Sequence, residues 1–171
     1  MANIPPEILA INEHVPAEDF VLALFRERFE ELDLSTPVHL VTQISRDQPR
    51  PAVLIRKLPT FWEFRSDERF LNSMDLTIHC FADDPDGDKD ASRLSEACRV
   101  ILRDAWLNNY SNPEHGSITY FEVLSPPRRT PDWATSVGPV QYADLPSNVH
   151  RYEGRYRIVV RKPRNPPYPT P

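Results

Sequence analysis

Glycine and lysine are scarce in this chain of 171 residues, which has four glycines and three lysines. Few glycines leave few places where backbone amides could cradle a phosphate, and the loops GxGxxG and GxxxxGKS/T and the GxSxG nucleophile elbow are all missing. None of the lysines follows a carboxylate by two residues, the arrangement that many metal-dependent nucleases use to face one phosphate. We therefore expect no nucleotide chemistry and no catalytic motif of these kinds.

Cysteine is equally rare, and Cys80 and Cys98 have no CxxC spacing. This pattern fits neither a disulfide framework nor a thiolate metal site. Both cysteines fall on predicted core faces, so we interpret them as buried free thiols in a reducing compartment. The five histidines show no HxH, HxxxH or HExxH pairing, and we predict neither a zinc site nor any other cofactor.

Long apolar runs and positive charge are also lacking. No run reaches the roughly 18 to 20 residues that span a bilayer, and the first residues do not combine a basic stretch with an apolar one. We therefore expect an unsecreted protein with no membrane partner. The net charge of -5 and the pI near 5.5 disfavour a duplex-binding surface, which needs clustered positive charge.

Proline, by contrast, is abundant, with nineteen residues, roughly twice the usual share of about 5%. The length fits one domain, and we predict an arm over residues 1–15, a single domain over 16–161 and a proline-rich extended tail over 162–171. Within the domain, 125–150 lacks periodicity. Because connections usually hold about 4 to 6 residues, such a long segment predicts an interaction loop.

Hydrophobic spacing predicts two helices and five strands. In chain order they are helix 16–32, strands 38–44, 52–58 and 74–82, helix 90–106, and strands 118–124 and 151–161. The core stripe of the second helix is predicted to consist of Leu94, Ala97, Cys98, Ile101, Leu102 and Ala105. We expect the first two strands to form a hairpin. The order α-β-β-β-α-β-β predicts an α+β fold with a mixed, largely antiparallel sheet of about five strands and two helices on one face.

Arginines and aromatic residues late in the chain form one candidate site. Its members are Arg128, Arg129, Trp133, Tyr142, Arg151, Arg155 and Arg157. Guanidinium groups match phosphates, but they also suit subunit interfaces that supply carboxylates, and the acidic chain favours the interface. The two aromatic residues are either anchors packed on their own domain or contacts to a neighbouring copy.

Clustered aspartates form the second candidate site. They are Asp83, Asp84, Asp86 and Asp88, followed by Asp90. Hard cations bind such clusters, but the spacing does not match an EF-hand loop, whose sixth position is glycine: with Gly87 sixth, Ala82 would be the first ligand. We interpret the segment as a turn followed by a negatively charged helix start.

Three stretches carry a family resemblance. MDLTIHCFADDPDGDKDA running into SRLSEACRVILRDAW, then ITYFEVLSPPRRTPDW, and finally VGPVQYADLPSNVHRYEGRYRIVVR resemble the tail terminator proteins of long-tailed, siphovirus-type bacteriophages, especially those of actinobacteria. The resemblance covers roughly residues 16–161 and includes no catalytic motif. The terminal arms have no counterpart in it.

The resemblance implies a non-enzymatic virion protein. It implies a homohexameric ring that caps the tail tube, stops its polymerisation and provides the head-attachment interface. The implied partners are further copies of the chain, the tail tube protein and head–tail connector proteins, while genomic DNA passes through without specific binding. The protein would lie in the virion neck, and in the host cytoplasm during assembly. The arginine site would contact a neighbouring subunit or the tube, and the aspartates would line or approach the lumen.

Two alternatives remain at this point. A head–tail connector or head completion protein would share the size, the class and the ring symmetry. A metal-dependent nuclease with a dispersed site, using Asp75 or Asp83, is a third and less favoured interpretation.

Overall fold

A mixed sheet backed by two helices forms the body of the protein. The computed structural model describes residues 16–45, 47–59, 70–130 and 148–163. In chain order its elements are α1 (Ala17–Glu31), β1 (His39–Val41), β2 (Ala52–Leu58), β3 (Leu71–Asp83), α2 (Gly87–Leu107), β4 (Ser111–Asn112), β5 (Gly116–Arg129) and β6 (Val149–Arg161). The predicted α+β class is confirmed, with one strand more than expected because the short β4 pairs with the start of β5.

The sheet has the strand order β1-β2-β3-β6-β5-β4. Its neighbours are antiparallel except β1 and β2, which run parallel with His39 opposite Ala52. The predicted hairpin between these two strands is therefore wrong. The turn formers between them suggested a tight reversal, whereas the chain returns to the starting end of β1, as a parallel pair requires.

Strand β5 is longer than its sequence pattern indicates. It continues through Pro126 and Pro127 to Arg129, and β6 already begins at Val149. Both ends of the predicted loop 125–150 thus belong to strands, and residues 131–147 lie outside the described ranges. Alternation fails in this part of β5 because its pairing with β6 contains register shifts, and an edge strand tolerates proline.

Both helices pack on the same face of the sheet. Helix α1 contributes Phe20, Leu24 and Phe25, and these residues pack with inward residues of β2, β3, β5 and β6. The buried residues of α2 are Gly87, Ala91, Ser95, Cys98, Leu102 and Ala105. Ala97 is exposed, so its placement in the predicted stripe is wrong, and Ala91 and Ser95 take the core positions instead. None of the described helices is long and apolar enough to cross a membrane.

The opposite face of the sheet, which we call the helix-free face because no described helix packs on it, carries buried polar residues. Asp75, Thr77 and His79 alternate along β3 on this face, where they lie between 1% and 8% exposed. An apolar cluster adjoins them towards the C-terminal end of β3 and consists of Ile44, Leu54, Phe81 and Val149. Because buried polar groups are costly without partners, the contacts of this face determine what it can bind.

Candidate interaction surfaces

Charged side chains cross the helix-free face at the middle of the sheet, and we call this group the polar band. Its first part joins three neighbouring strands through Arg157 of β6. The Nε and Nη2 groups of Arg157 donate to the two carboxylate oxygens of Asp75 at 2.7 and 3.0 Å. Its Nη1 lies 3.7 Å from Glu122 Oε2 on β5. The hydrogen bonds to Asp75 raise the pKa of Arg157, so this guanidinium stays charged.

The second part of the polar band is centred on Glu153, which is 8% exposed. Arg155 Nε donates to Glu153 Oε1 at 2.9 Å, and Arg151 Nη2 donates to Glu153 Oε2 at 3.1 Å. Burial favours the protonated acid, but the hydrogen bond from Arg155 and the positive charges of Arg155 and Arg151 outweigh it. The pKa of Glu153 therefore lies below its usual value, and the group remains a carboxylate.

His79 completes the polar band as its most buried member, at 1% exposure. Its Nε2 lies 3.3 Å from Thr77 Oγ1, and its Nδ1 lies 3.7 Å from Glu153 Oε2. Burial, reinforced by the charge of Arg151, lowers the pKa of His79 to about 3. The imidazole is therefore neutral at physiological pH, and it acts as a packing group of the band.

The polar band changes the interpretation of the late arginines. Arg151, Arg155 and Arg157 lie on one face of β6, as two-residue alternation along a strand requires. However, Arg151 and Arg157 are largely buried and bound to carboxylates of their own chain, so little of either is left for a partner. Arg128, in contrast, is exposed and forms no ion pair with another described residue. Trp133 and Tyr142 lie outside the described ranges.

The acidic segment forms a turn between β3 and α2, and we call residues 83–88 the acidic turn. Here the structure brings two predicted sites together, because Arg129 Nε lies 3.3 Å from Asp88 Oδ1. His150 Nε2 lies 2.8 Å from Asp84 Oδ1, and Arg50 pairs with Asp83. Asp86 is exposed at the start of α2 and has no ion pair within the described ranges.

The predicted turn and negatively charged helix start are confirmed, although α2 begins at Gly87, earlier than expected. Pairing of Asp88 with Arg129 depends on the end of β5 lying beside the start of α2, which residue spacing does not reveal. Across the part of the chain that the structure describes, no three histidine, cysteine or acidic side chains converge as a potential metal site.

A cleft of about 680 Å³ lies at the other end of the sheet, and we call it the basic cleft. It is lined by residues 109, 111–113, 116–119 and 161–163. Its charged lining residues are Arg161 and Lys162, and no carboxylate lies among the described residues that line it. Sequence reasoning missed this cleft because it forms only where β4 and the start of β5 meet the end of β6.

The outer edge of β5 is the third surface. Only its first residues, Gly116 and Ser117, pair with β4, and beyond them no described strand covers this edge. Tyr120, Val123 and Leu124 are 39%, 37% and 41% exposed there, and we call these three residues the β5 edge. An open edge with exposed apolar side chains can pair with another chain.

Asp75 and Asp83, the two aspartates named for a dispersed nuclease site, do not lie together. These residues stand eight positions apart on β3, which corresponds to about 26 Å at the rise of a strand. Asp75 is bound by Arg157, and Asp83 is bound by Arg50. The two carboxylates therefore cannot share one metal ion.

Neither a scan against models of known protein families nor a search of curated proteins finds a match for this chain. The likeness to phage tail terminators accordingly depends on the three quoted stretches. The described residues present three surfaces to a partner: the acidic turn, the basic cleft and the β5 edge.

Proposed function

We propose that this protein is a tail terminator of a long-tailed bacteriophage. In this proposal several copies, six by the family resemblance, form a ring on the end of the tail tube. The ring stops polymerisation of the tube and presents the surface to which head–tail connector proteins attach. The protein catalyses no reaction, and its place is the neck of the virion.

The β5 edge is the observation that carries the proposal. It combines an open strand edge with the exposed apolar side chains of Tyr120, Val123 and Leu124. A tube that grows by adding subunits ends in a surface made for the next subunit, and a terminator must cover that surface by shape and by main-chain pairing. Exposed Arg128 follows on the same strand and adds charge to the contact.

The polar band supports the proposed passage of DNA. Its arginines are paired with Asp75, Glu122 and Glu153 of the same chain. Guanidinium groups engaged in this way release few counterions on meeting phosphates, so they provide little affinity for a duplex. A subunit that lets DNA pass benefits when its arginine charges are neutralised in this way by carboxylates of its own chain.

A tube-length assay tests the proposal. Purified tail tube protein is polymerised alone and with this protein, and electron microscopy records tube lengths and tube ends. We expect shorter tubes that carry extra density at one end. Tubes of unchanged length with bare ends would refute the terminator function, and binding to portal or head proteins without any effect on tubes would assign the chain to the connector class.

A variant pair ties the assay to the β5 edge. Leu124→Arg places a charge among the exposed apolar residues and should abolish capping. Leu107→Arg makes the same change at the end of α2, where Leu107 is 59% exposed, and should cap normally. Equal capping by both variants would show that the β5 edge is not part of the tube contact.

A further inference from the structure

We propose that the acidic turn of one copy docks into the basic cleft of the next copy, so that subunits join head to tail. The inference rests on the proposed ring and specifies the surfaces that close it. The β5 edge then remains free for the tail tube. A turn that occupies a neighbour's cleft does not line the lumen, so this placement and the lumen expectation are alternatives.

The two surfaces lie at opposite ends of the molecule. Strand β3 reaches the acidic turn where Asp83 stands opposite Val149, and it starts beside the basic cleft where Leu71 stands opposite Arg161. Strand β3 has thirteen residues between these two points. At the usual rise per residue of a strand, the acidic turn and the basic cleft are therefore about 40 Å apart. The acidic turn therefore cannot reach the cleft of its own chain, and the contact must be between copies.

The lining of the basic cleft suits carboxylates. Arg161 is exposed and forms no ion pair with any other described residue, and it is the cation on which the contact depends; Lys162, which has a contact of its own, lies beside it in the lining. Neutral hydrogen-bonding groups complete the wall, namely Asn109, Ser111, Asn112, Ser117 and Thr119. Cations and neutral donors without a competing acid favour an anionic partner.

The acidic turn suits that cleft in charge and in shape. Asp84, Pro85 and Asp86 form its exposed tip. Asp86 has no ion pair among the described residues, while His150 and Arg129 hold the carboxylates on either side of it. Asp84 N–H also donates to the carbonyl oxygen of Asn148 at 3.1 Å. A turn held in this way loses little conformational entropy on docking.

A head-to-tail contact also has the symmetry that a ring requires. Two different patches of the same subunit meet, so each added copy leaves one acidic turn and one basic cleft for its neighbours. Such heterologous contacts close into a ring when the rotation between subunits allows it. A second copy is therefore the occupant that the charge complementarity favours.

Cysteine cross-linking tests the contact. The variant Asp86→Cys with Arg161→Cys carries one thiol on each surface, and native Cys80 and Cys98 are fully buried and should stay silent. Mild oxidation of the folded variant should give a ladder of covalent oligomers ending in one closed species. Either single variant should stop at dimers. The matched control is Asp86→Cys with Leu107→Cys, because Leu107 is exposed near the same end as the cleft.

The cross-linking is done in solution and on capped tubes, and capping is scored in the same samples. The head-to-tail contact would be overturned if the test variant gave no larger oligomers than the control variant, both in solution and on capped tubes. If those samples still capped tubes normally, the proposed terminator function would stand without the contact. Failure of the contact and failure of the terminator function therefore give different results. A ladder in a protein that does not cap tubes would support the contact alone.

A charge exchange provides the second test. Arg161→Glu and Asp86→Arg should each raise the concentration for half-maximal assembly at least about tenfold. The chain with both changes should return to within about threefold of the original value, because the pairing is restored with its signs reversed. Failure of the double variant to recover, while circular dichroism shows it folded, would contradict the proposal.

Discussion

Arg157 holds Asp75 by two hydrogen bonds across neighbouring strands, with Nε–Oδ1 and Nη2–Oδ2 distances of 2.7 and 3.0 Å. The side chains are 15% and 11% exposed. Removing one partner of a largely buried pair leaves the other charge without compensation, which costs much more than losing a surface pair. This relationship makes the polar band a stability determinant as well as a surface feature.

Asp75→Ala should lower the free energy of unfolding by about 3 kcal/mol, because the largely buried Arg157 would lose both of its hydrogen bonds to the Asp75 carboxylate. Urea denaturation measures the change. The control is Arg28→Ala, which breaks the exposed pair of Arg28 with Glu31 and should cost less than about 1 kcal/mol. Equal losses for the two variants would contradict the buried character of the Asp75 pair.

His79 should make stability depend on pH. Its pKa is about 3 in the folded protein and 6.5 ordinarily. Between these values the unfolded chain binds a proton that the folded protein does not, so the free energy of unfolding falls as the pH falls. From about pH 7 to about pH 5 the contribution of His79 should decrease by about 2 kcal/mol.

The measurement compares urea denaturation of the original protein and His79→Gln at both pH values. The variant should lose about 2 kcal/mol less on acidification. The control is Ile55→Val, which should cost about 1 kcal/mol at both pH values and leave the pH dependence unchanged. An acid sensitivity in His79→Gln equal to that of the original protein would disprove this role.

The two thiols should be unreactive in the folded protein. Cys80 and Cys98 are fully buried, and their sulfurs lie 3.9 Å apart between β3 and α2. Burial and the contact with Cys98 raise the pKa of Cys80, which reduces the reactive thiolate form. Ellman's reagent at neutral pH should titrate neither thiol in buffer and both in concentrated urea. Rapid stoichiometric reaction in buffer would show that one of them is accessible.

Gly116→Ala should be strongly destabilising. Gly116 has φ +98°, and a Cβ there would lie 2.1 Å from the carbonyl oxygen of Arg161. Strained φ and a backbone clash together should cost about 2 to 4 kcal/mol. Ser117→Ala, at the next position of the same strand, should change the free energy of unfolding by less than about 0.5 kcal/mol. Thermal denaturation distinguishes the two, and similar melting temperatures would contradict the positive φ.

Some features of this protein could be predicted from its residues because they depend on neighbours along the chain. Two-residue alternation along the predicted strand 74–82 puts Met74, Ile78 and Cys80 on one face, and this is the core face of β3. Helical spacing likewise placed Cys98 and Leu102 in the core. The acidic start of α2 follows from the same local geometry, since carboxylates favour the positive end of a helix.

Contacts between residues distant in sequence were decided only by the folded chain. The Asp75–Arg157 pair joins positions 82 residues apart, and it exists because β6 lies between β3 and β5. The same strand order brings Arg129 to Asp88 and builds the basic cleft at the end of β6. Periodicity reports which face a residue occupies, while its partner depends on strand order and register, which are set by the packing of the whole sheet.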